Sequence, residues 1–316
     1  VPASSSAHIL MRKCVRRNGG KMSKVSKYKR YCGILALVFI FSALAFSIIS
    51  DIIEIYAVSS MERNVCVPII MYHHVKNTNL GKDVITPYEF EDDLKYLAEN
   101  NYSTITMTQL INYVYEDEEL PENPIILSFD DGLYSTYRNV FPLLKKYDMK
   151  IVLSIVGKSI DDFSKVNDTN VGYAHSTWTQ LQEMVDSGLV EVQNHSYDLH
   201  KVRNGRYGCY QKYNESLAHY EEFLAADLLT LQERAKEELD YEPNTFTYPY
   251  GKFNDNTDII LKKLGFKATL SVKFGVNLIT KDPEKLYDLK RICRSHNQGI
   301  KKLLKQGMET LRFIEE

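Results

Sequence analysis

Pro124-Ile125-Ile126-Leu127-Ser128-Phe129 runs directly into Asp130-Asp131-Gly132. A short apolar run with almost no polar alternation reads as a strand buried on both faces, and such strands belong to parallel sheets covered by helices. Just downstream, Val140, Leu143, Leu144 and Tyr147 recur at helical spacing, and residues 151–156 form a second buried strand. The same alternation continues outward in both directions. Towards the N-terminus, residues 67–72 read as a strand, Phe90, Leu94 and Leu97 as a helix face, and 103–106 as β-rich, with Thr108 capping a helix through Tyr113. Towards the C-terminus, Leu181, Met184 and Val185 mark a helix closed by Gly188, followed by a strand over 189–192. A long polar helix is expected over 214–239, a helix over 255–264, and strands over 245–248, 268–272 and 289–293. Residues 201–213, rich in Arg, Gly and Tyr, read as a loop. Strands alternating with helices predict an α/β fold on a parallel sheet.

The chain has 316 residues, 44% of them hydrophobic, enough for one large domain or two small ones. Its net charge of −2 provides no basic field for nucleic acid. The charge is unevenly placed, however. Arg12, Lys13, Arg16, Arg17, Lys21, Lys24, Lys27, Lys29 and Arg30 crowd the start with no acid among them. An uncharged apolar run then extends from Cys32 to about Ser50, long enough to cross a bilayer as one helix. Basic residues before it, and Asp51 and Glu54 after it, favour an N-terminus inside and the rest of the chain outside. The expected order is a basic cytoplasmic segment over 1–30, a single transmembrane helix over 31–53 and a tether over 54–66, giving a single-pass protein of the cell membrane with an extracellular domain. A cleaved signal peptide is the alternative, because Ala57-Val58-Ser59 has the small-x-small form that would release a secreted chain near Ser59. The chain opens on Val1, with Met11 and Met22 as candidate initiators. Cys14, Cys32, Cys66, Cys209 and Cys293 are odd in number and widely spaced, which suits neither a disulfide framework nor a zinc knuckle.

Polar residues gather just past the strands. His73 and His74 follow the first, Asp130 and Asp131 another, then Asn194, His195 and His200, then Tyr248 to Gly251, and Arg291 in the last. Active sites of parallel α/β folds form at the C-terminal strand ends, so these residues are expected to be neighbours. Asp130-Asp131-Gly132 alone could be a plain turn. Two adjacent carboxylates there point differently, so one could bind a metal while the other takes a proton. His195 and His200 alone could be one solvated and one capping histidine. With Asp131 they make two imidazoles and a carboxylate, a common catalytic zinc shell with positions left for water and substrate.

Ser128-Phe129-Asp130-Asp131-Gly132, His195-Ser196-Tyr197-Asp198-Leu199-His200 and Tyr248-Pro249-Tyr250-Gly251 resemble the first three motifs of the NodB-type polysaccharide deacetylases, in that family's order. Met71-Tyr72-His73-His74 is similar to the branch that includes biofilm poly-N-acetylglucosamine deacetylases. The resemblance implies a catalytic domain over 67–316 folded as a distorted (β/α) barrel with fewer than eight strands. It implies that Asp131, His195 and His200 hold one divalent ion, zinc or cobalt, and that Asp130 is the general base. The backbone N–H of Tyr250 would help hold the oxyanion, with Tyr248, Pro249 and Tyr250 against the substrate. The expected partner is an N-acetylated polysaccharide.

Two departures stand out. The family's third motif usually begins with Arg, but Thr247 holds that position, so Arg291 is the expected substitute for orienting the base. The late Leu-x-His motif that supplies the general acid is absent, and His73 matches the histidine that the biofilm branch uses instead. His74 and His296 are the weaker candidates, His74 being expected to point away from the site if the strand pleat continues to it. An O-acetyl esterase and a non-catalytic carbohydrate-binding protein on the same fold are the alternative functions.

Overall fold

Seven parallel strands carry the domain: β1 (Ile69–Tyr72), β2 (Pro124–Phe129), β3 (Ile151–Ile155), β4 (Val190–Asn194), β5 (Thr245–Thr247), β6 (Ala268–Leu270) and β7 (Ile292–Cys293). The structure, a computed structural model, describes residues 24–60 and 64–313. The strands lie in the order β6-β5-β4-β3-β2-β1-β7, and the short strand Ser103–Thr104 pairs with β2 beside them. The sheet closes on itself through one segment. Leu289 bridges Leu270 of β6 in parallel, and Ile292 pairs with Ile70 of β1. The result is a distorted barrel of fewer than eight strands.

Alternation along the strands builds two environments. On β2, Ile125, Leu127 and Phe129 join Ile70, Tyr72, Leu153 and Val192 in a core packed against the helices. Ile126 belongs instead to a second core with Ile69, Val152 and Leu270. The residues two and four further along β2 in that register are Ser128 and Asp130, both buried. The second face therefore turns from apolar to polar towards the C-terminal strand ends, where chemistry is possible. At the other end, both carboxylate oxygens of Glu191 accept from the N–H groups of Met107 and Thr108, at 2.8 and 3.0 Å. That carboxylate caps the first turn of its helix.

Helices α2 (Pro87–Glu99), α3 (Met107–Tyr115), α4 (Phe141–Tyr147), α5 (Gly157–Val166), α6 (Trp178–Asp186), α7 (Leu217–Leu239), α8 (Asp255–Lys263) and α9 (Ile300–Glu309) complete the domain. Several local expectations need correcting. The cap of α3 is Thr106, not Thr108: its side chain accepts from Gln109 N–H while Gln109 answers it in a capping box. Residues 201–213 are not a bare loop, because Val202–Arg203 pairs antiparallel with Arg206–Tyr207. Ser216 caps α7, so that helix starts later than residue 214.

The chain divides into two compact units, Val1–Arg63 and Asn64–Glu316. Among its described residues the first contains one long helix, α1 (Lys24–Ser60), in which Tyr31–Ser50 is long and apolar enough to cross a membrane. A signal sequence near an N-terminus would pass the same test. The expected tether over 54–66 is helical through Ser60, and Val65–Val67 already pairs with Asn277–Ile279. Of the basic segment expected over 1–30, residues 1–23, with Cys14, lie outside the described residues, and the rest begins α1. Cys32, Cys66, Cys209 and Cys293 are free thiols.

Candidate active site

Asp130 ends β2 pointing inward, and its side chain is almost wholly buried. A buried carboxylate needs a partner, and Arg291, also buried, supplies a two-pronged one. Arg291 Nη1 donates to Asp130 Oδ1 at 2.7 Å and Nη2 to Oδ2 at 2.9 Å. The guanidinium is itself fixed by Ser128 Oγ at 2.8 Å and by Ser271 O, which accepts from Nε at 2.7 Å. Burial alone would raise the Asp130 pKa, but Arg291, and then His195 and His73, hold it well below the usual carboxylate range. Thr247 leaves the guanidinium task to Arg291, since its own side chain bonds Ser154 Oγ at 2.7 Å.

Asp131 follows with φ 75°, a left-handed backbone that turns its carboxylate away from that of its neighbour. Gly132 continues the turn at φ 71°, and a Cβ there would lie 3.0 Å from Ile155. Asp131 Oδ1 then lies 3.7 Å from His195 Nε2 and 3.5 Å from His200 Nε2. All three ligand atoms fall within 4.8 Å of one another. Asp131 Oδ1 is a buried oxygen without a hydrogen-bond partner. His195 Nδ1 donates to Thr247 O at 2.7 Å, which leaves the Nε2 lone pair facing Asp131. Burial, outweighing the nearby carboxylates, pushes the His195 pKa down to about 4, so the ring is neutral near pH 7.

The segment carrying both histidines is held by neighbours that sequence reasoning missed. Asn194 Oδ1 accepts from Ser196 N–H at 2.7 Å, and Ser196 adopts φ 84°. Asp227, from the middle of α7, accepts from Tyr197 N–H and Asp198 N–H, both at 2.8 Å. His175 Nδ1 donates to Asp131 O at 2.8 Å. Nothing in the polar run of α7 distinguishes Asp227, whereas His175, just before Thr177-Trp178, was a histidine open to notice.

His73, His74, Asp130, Asp131, His195 and His200 share one cavity of about 300 Å³. His73 Nε2 lies 3.8 Å from Asp130 Oδ2, and its Nδ1 is buried without a partner. His74 does not point away as expected. It lines the same cavity, because the pleat of β1 breaks at His73 and resumes in His74–Val75. Burial, then Lys76, pushes the His74 pKa down to about 4. His296 is engaged elsewhere, its Nδ1 2.8 Å from Glu89 Oε2. Tyr250, at φ 59°, sets its ring 4.4 Å from that of His200. Tyr248 is buried, bonds Asp258 through its hydroxyl and stacks on Phe253, and Pro249 is buried beneath the turn. Tyr248 therefore lines the cavity without offering it a free side-chain polar group, and Pro249, expected against the substrate, lies under the turn outside the cavity lining.

A curled parallel barrel with an Asp-His-His set beside an arginine-held carboxylate at its strand ends is an arrangement similar to that of the NodB-type (β/α) barrels. The family described as polysaccharide deacetylase matches residues 117–269, and this segment carries a polysaccharide deacetylase domain. The chain is 26% identical over 234 residues to the poly-beta-1,6-N-acetyl-D-glucosamine N-deacetylase of Escherichia coli K12, covering 68% of this chain and 34% of that protein. The chain thus spans about a third of that relative's length. It is 25% identical over 226 residues to the enzyme of the same name from Staphylococcus epidermidis, covering 70% of this chain and 71% of that one. Among solved structures, IcaB from Ammonifex degensii superposes with a TM-score of 0.60 at 27% identity, over 72% of this chain and 91% of that one.

Proposed function

We propose that this chain is a metal-dependent hydrolase that removes N-acetyl groups from N-acetylglucosamine-type units of a polysaccharide outside the cell. Residues 31–53 anchor it in the membrane, and residues 67–316 form the catalytic domain. The observation that carries the reading is the meeting of Asp131, His195 and His200 with the Asp130–Arg291 pair in one cavity. The donor set fits a divalent cation: an unpartnered buried carboxylate oxygen, a histidine of fixed tautomer and a second imidazole nitrogen. These three residues would hold zinc or cobalt, which would supply Lewis acidity at the acetyl carbonyl and favour ionisation of water.

The chain's own residues supply the rest. Asp130 accepts the proton of the attacking water, and Arg291 keeps the carboxylate ionised and aimed. The backbone N–H of Tyr250 stabilises the oxyanion, with Tyr248 and Tyr250 lining the cavity that takes the sugar and Pro249 supporting their turn from beneath. His73 delivers a proton from Nε2 to the departing nitrogen. His74 is the poorer donor, because its depressed pKa leaves it neutral near pH 7. A protein that merely bound sugar would gain nothing from a buried ion pair that is costly to desolvate.

The test measures acetate release by the full chain in detergent from poly-β-1,6-N-acetylglucosamine and from O-acetylated xylan, before and after chelation. Metal-dependent release from the first substrate is expected. Release that survives chelation, or that occurs only from xylan, would overturn the reading. Protease added to whole cells should remove the domain, and recovery of a soluble form beginning near Ser60 would favour signal cleavage.

A further inference from the structure

A cavity of about 300 Å³ sits at the lower end of small-molecule sites. It takes one sugar unit, so the next units of a polymer must lie on its rim. The rim beside His200 is built by the hairpin that follows it. Val202–Arg203 and Arg206–Tyr207 are joined by Asn204 and Gly205, both at positive φ, the conformation a tight two-residue hairpin turn requires. This hairpin is fixed in place. Arg206 is buried, its guanidinium 3.8 Å from the Phe223 ring on α7, bonded to Tyr210 O at 3.0 Å and paired with Glu215. Gly208 packs so closely on the Pro249–Tyr250 turn that a Cβ there would lie 2.9 Å from Pro249 O.

The hairpin presents Tyr207 outward. Its ring lies 4.8 Å from Tyr250 at 62°, and Tyr250 lies 4.4 Å from His200, so an aromatic wall runs from the cavity to the surface. Tyr207 remains 45% exposed and belongs to none of the apolar clusters, so packing does not account for it. Its hydroxyl bonds no other described residue. The other face of the hairpin lines a second depression of about 800 Å³ with Leu199 and Phe223, room for chain that continues past the rim.

We propose that Tyr207 is the stacking face for the sugar next to the one held over Asp131, His195 and His200, and so sets a preference for polymer over single sugar. The inference rests on the deacetylase reading for the identity of the sugar. The axial C–H face of a β-linked hexosamine suits the electron-rich face of a phenol ring, and a free hydroxyl at the ring's end can bond a sugar hydroxyl.

The experiment uses the full chain stripped of metal by chelator, so that no turnover intervenes. Calorimetry measures the binding of β-1,6-linked N-acetylglucosamine pentasaccharide and of N-acetylglucosamine itself. The wild-type chain is expected to prefer the pentasaccharide. Tyr207→Ala should weaken pentasaccharide binding about tenfold, while Tyr207→Phe, which keeps the ring, stays within about twofold. Three results would overturn the proposal: no preference for the pentasaccharide, undiminished pentasaccharide binding by Tyr207→Ala, or zinc affinity falling in parallel with sugar affinity in Tyr207→Ala. The last would mean that Tyr207 acts through Tyr250 on His200 and not on sugar. Failure of the activity reading is separate: Tyr207-dependent binding without acetate release after metal is restored keeps this proposal and removes the activity.

Discussion

Arg291→Met removes the cation from a carboxylate that has almost no contact with water. Breaking such a pair by deleting one partner costs about 3–5 kcal/mol, because the remaining charge is buried without compensation. Asp130 has one escape, which is to take up a proton. In the native chain Arg291 outweighs burial and holds the carboxyl low; in the variant burial acts with less opposition and the pKa climbs. Two consequences have definite signs. The acid limb of the kcat/KM profile moves to higher pH, by roughly two units or more, since each unit corresponds to about 1.4 kcal/mol. The folded variant now binds a proton that the unfolded chain has released, so its stability falls by about 1.4 kcal/mol for each pH unit between the ordinary carboxylate value and the new one. Urea unfolding of the chelated chain at pH 5 and pH 8, with the pH–rate profile of the metal-loaded chain, reads both. Arg291→Lys should fall between the two, because one ammonium cannot match both carboxylate oxygens and Ser271 O. An acid limb that stays in place, with equal destabilisation at pH 5 and pH 8, would refute the reasoning.

His73→Ala should lower kcat strongly with zinc affinity intact; an active His73→Ala beside a dead His74→Ala would transfer the role. Asp227→Ala leaves two N–H groups between the histidines without their acceptor and should weaken zinc binding by roughly 10- to 100-fold, read by chelator competition. Unchanged affinity would show that the segment holds its shape unaided. Glu89 is buried enough for its pKa to rise, but Thr86 N–H, His296 and Asn297 N–H outweigh this and hold it at about 2. Its stabilisation is therefore present above its ordinary value of 4.5 and lost as pH falls towards 2. Glu89→Gln should unfold more easily at pH 7, with the gap to wild type closing across that window; a gap constant down to pH 2 would contradict it.

The strands were readable because burial on both faces leaves an unbroken apolar run, and the polar residues that end each run stand out against it. Asp130, Asp131, His195 and Arg291 could be grouped because a parallel sheet places all its C-terminal ends on one side. What could not be read depends on contacts between distant segments. Asp227 looks like any acid on a solvated helix until the chain folds the two N–H groups onto it. Glu191 reads as a stray charge in a strand, yet it caps a helix more than 80 positions earlier. His74 broke the pleat argument because β1 ends at Tyr72 and a separate short strand begins at His74, a boundary finer than periodicity resolves. The capping site of α3 fell on Thr106 because Gln109, not a residue after Thr108, stands in the answering position.

The segment that closes the barrel has a consequence for timing. Leu289 and Ile292 touch both open edges of the sheet, and Arg291 between them carries the guanidinium that Asp130 needs. Strand β1, near the start of the domain, waits for a partner more than 200 residues later in the chain. Until those last residues arrive, two strand edges stand unpaired and the carboxylate at the heart of the site has no counter-ion. Synthesis proceeds from the N-terminus, so a partly made chain has Asp131, His195 and His200 but not the arginine that pairs with Asp130. Completion of the barrel is the event that pairs this carboxylate, and a truncation just before residue 289 is expected to leave a sticky chain with both edges open and Asp130 unpaired.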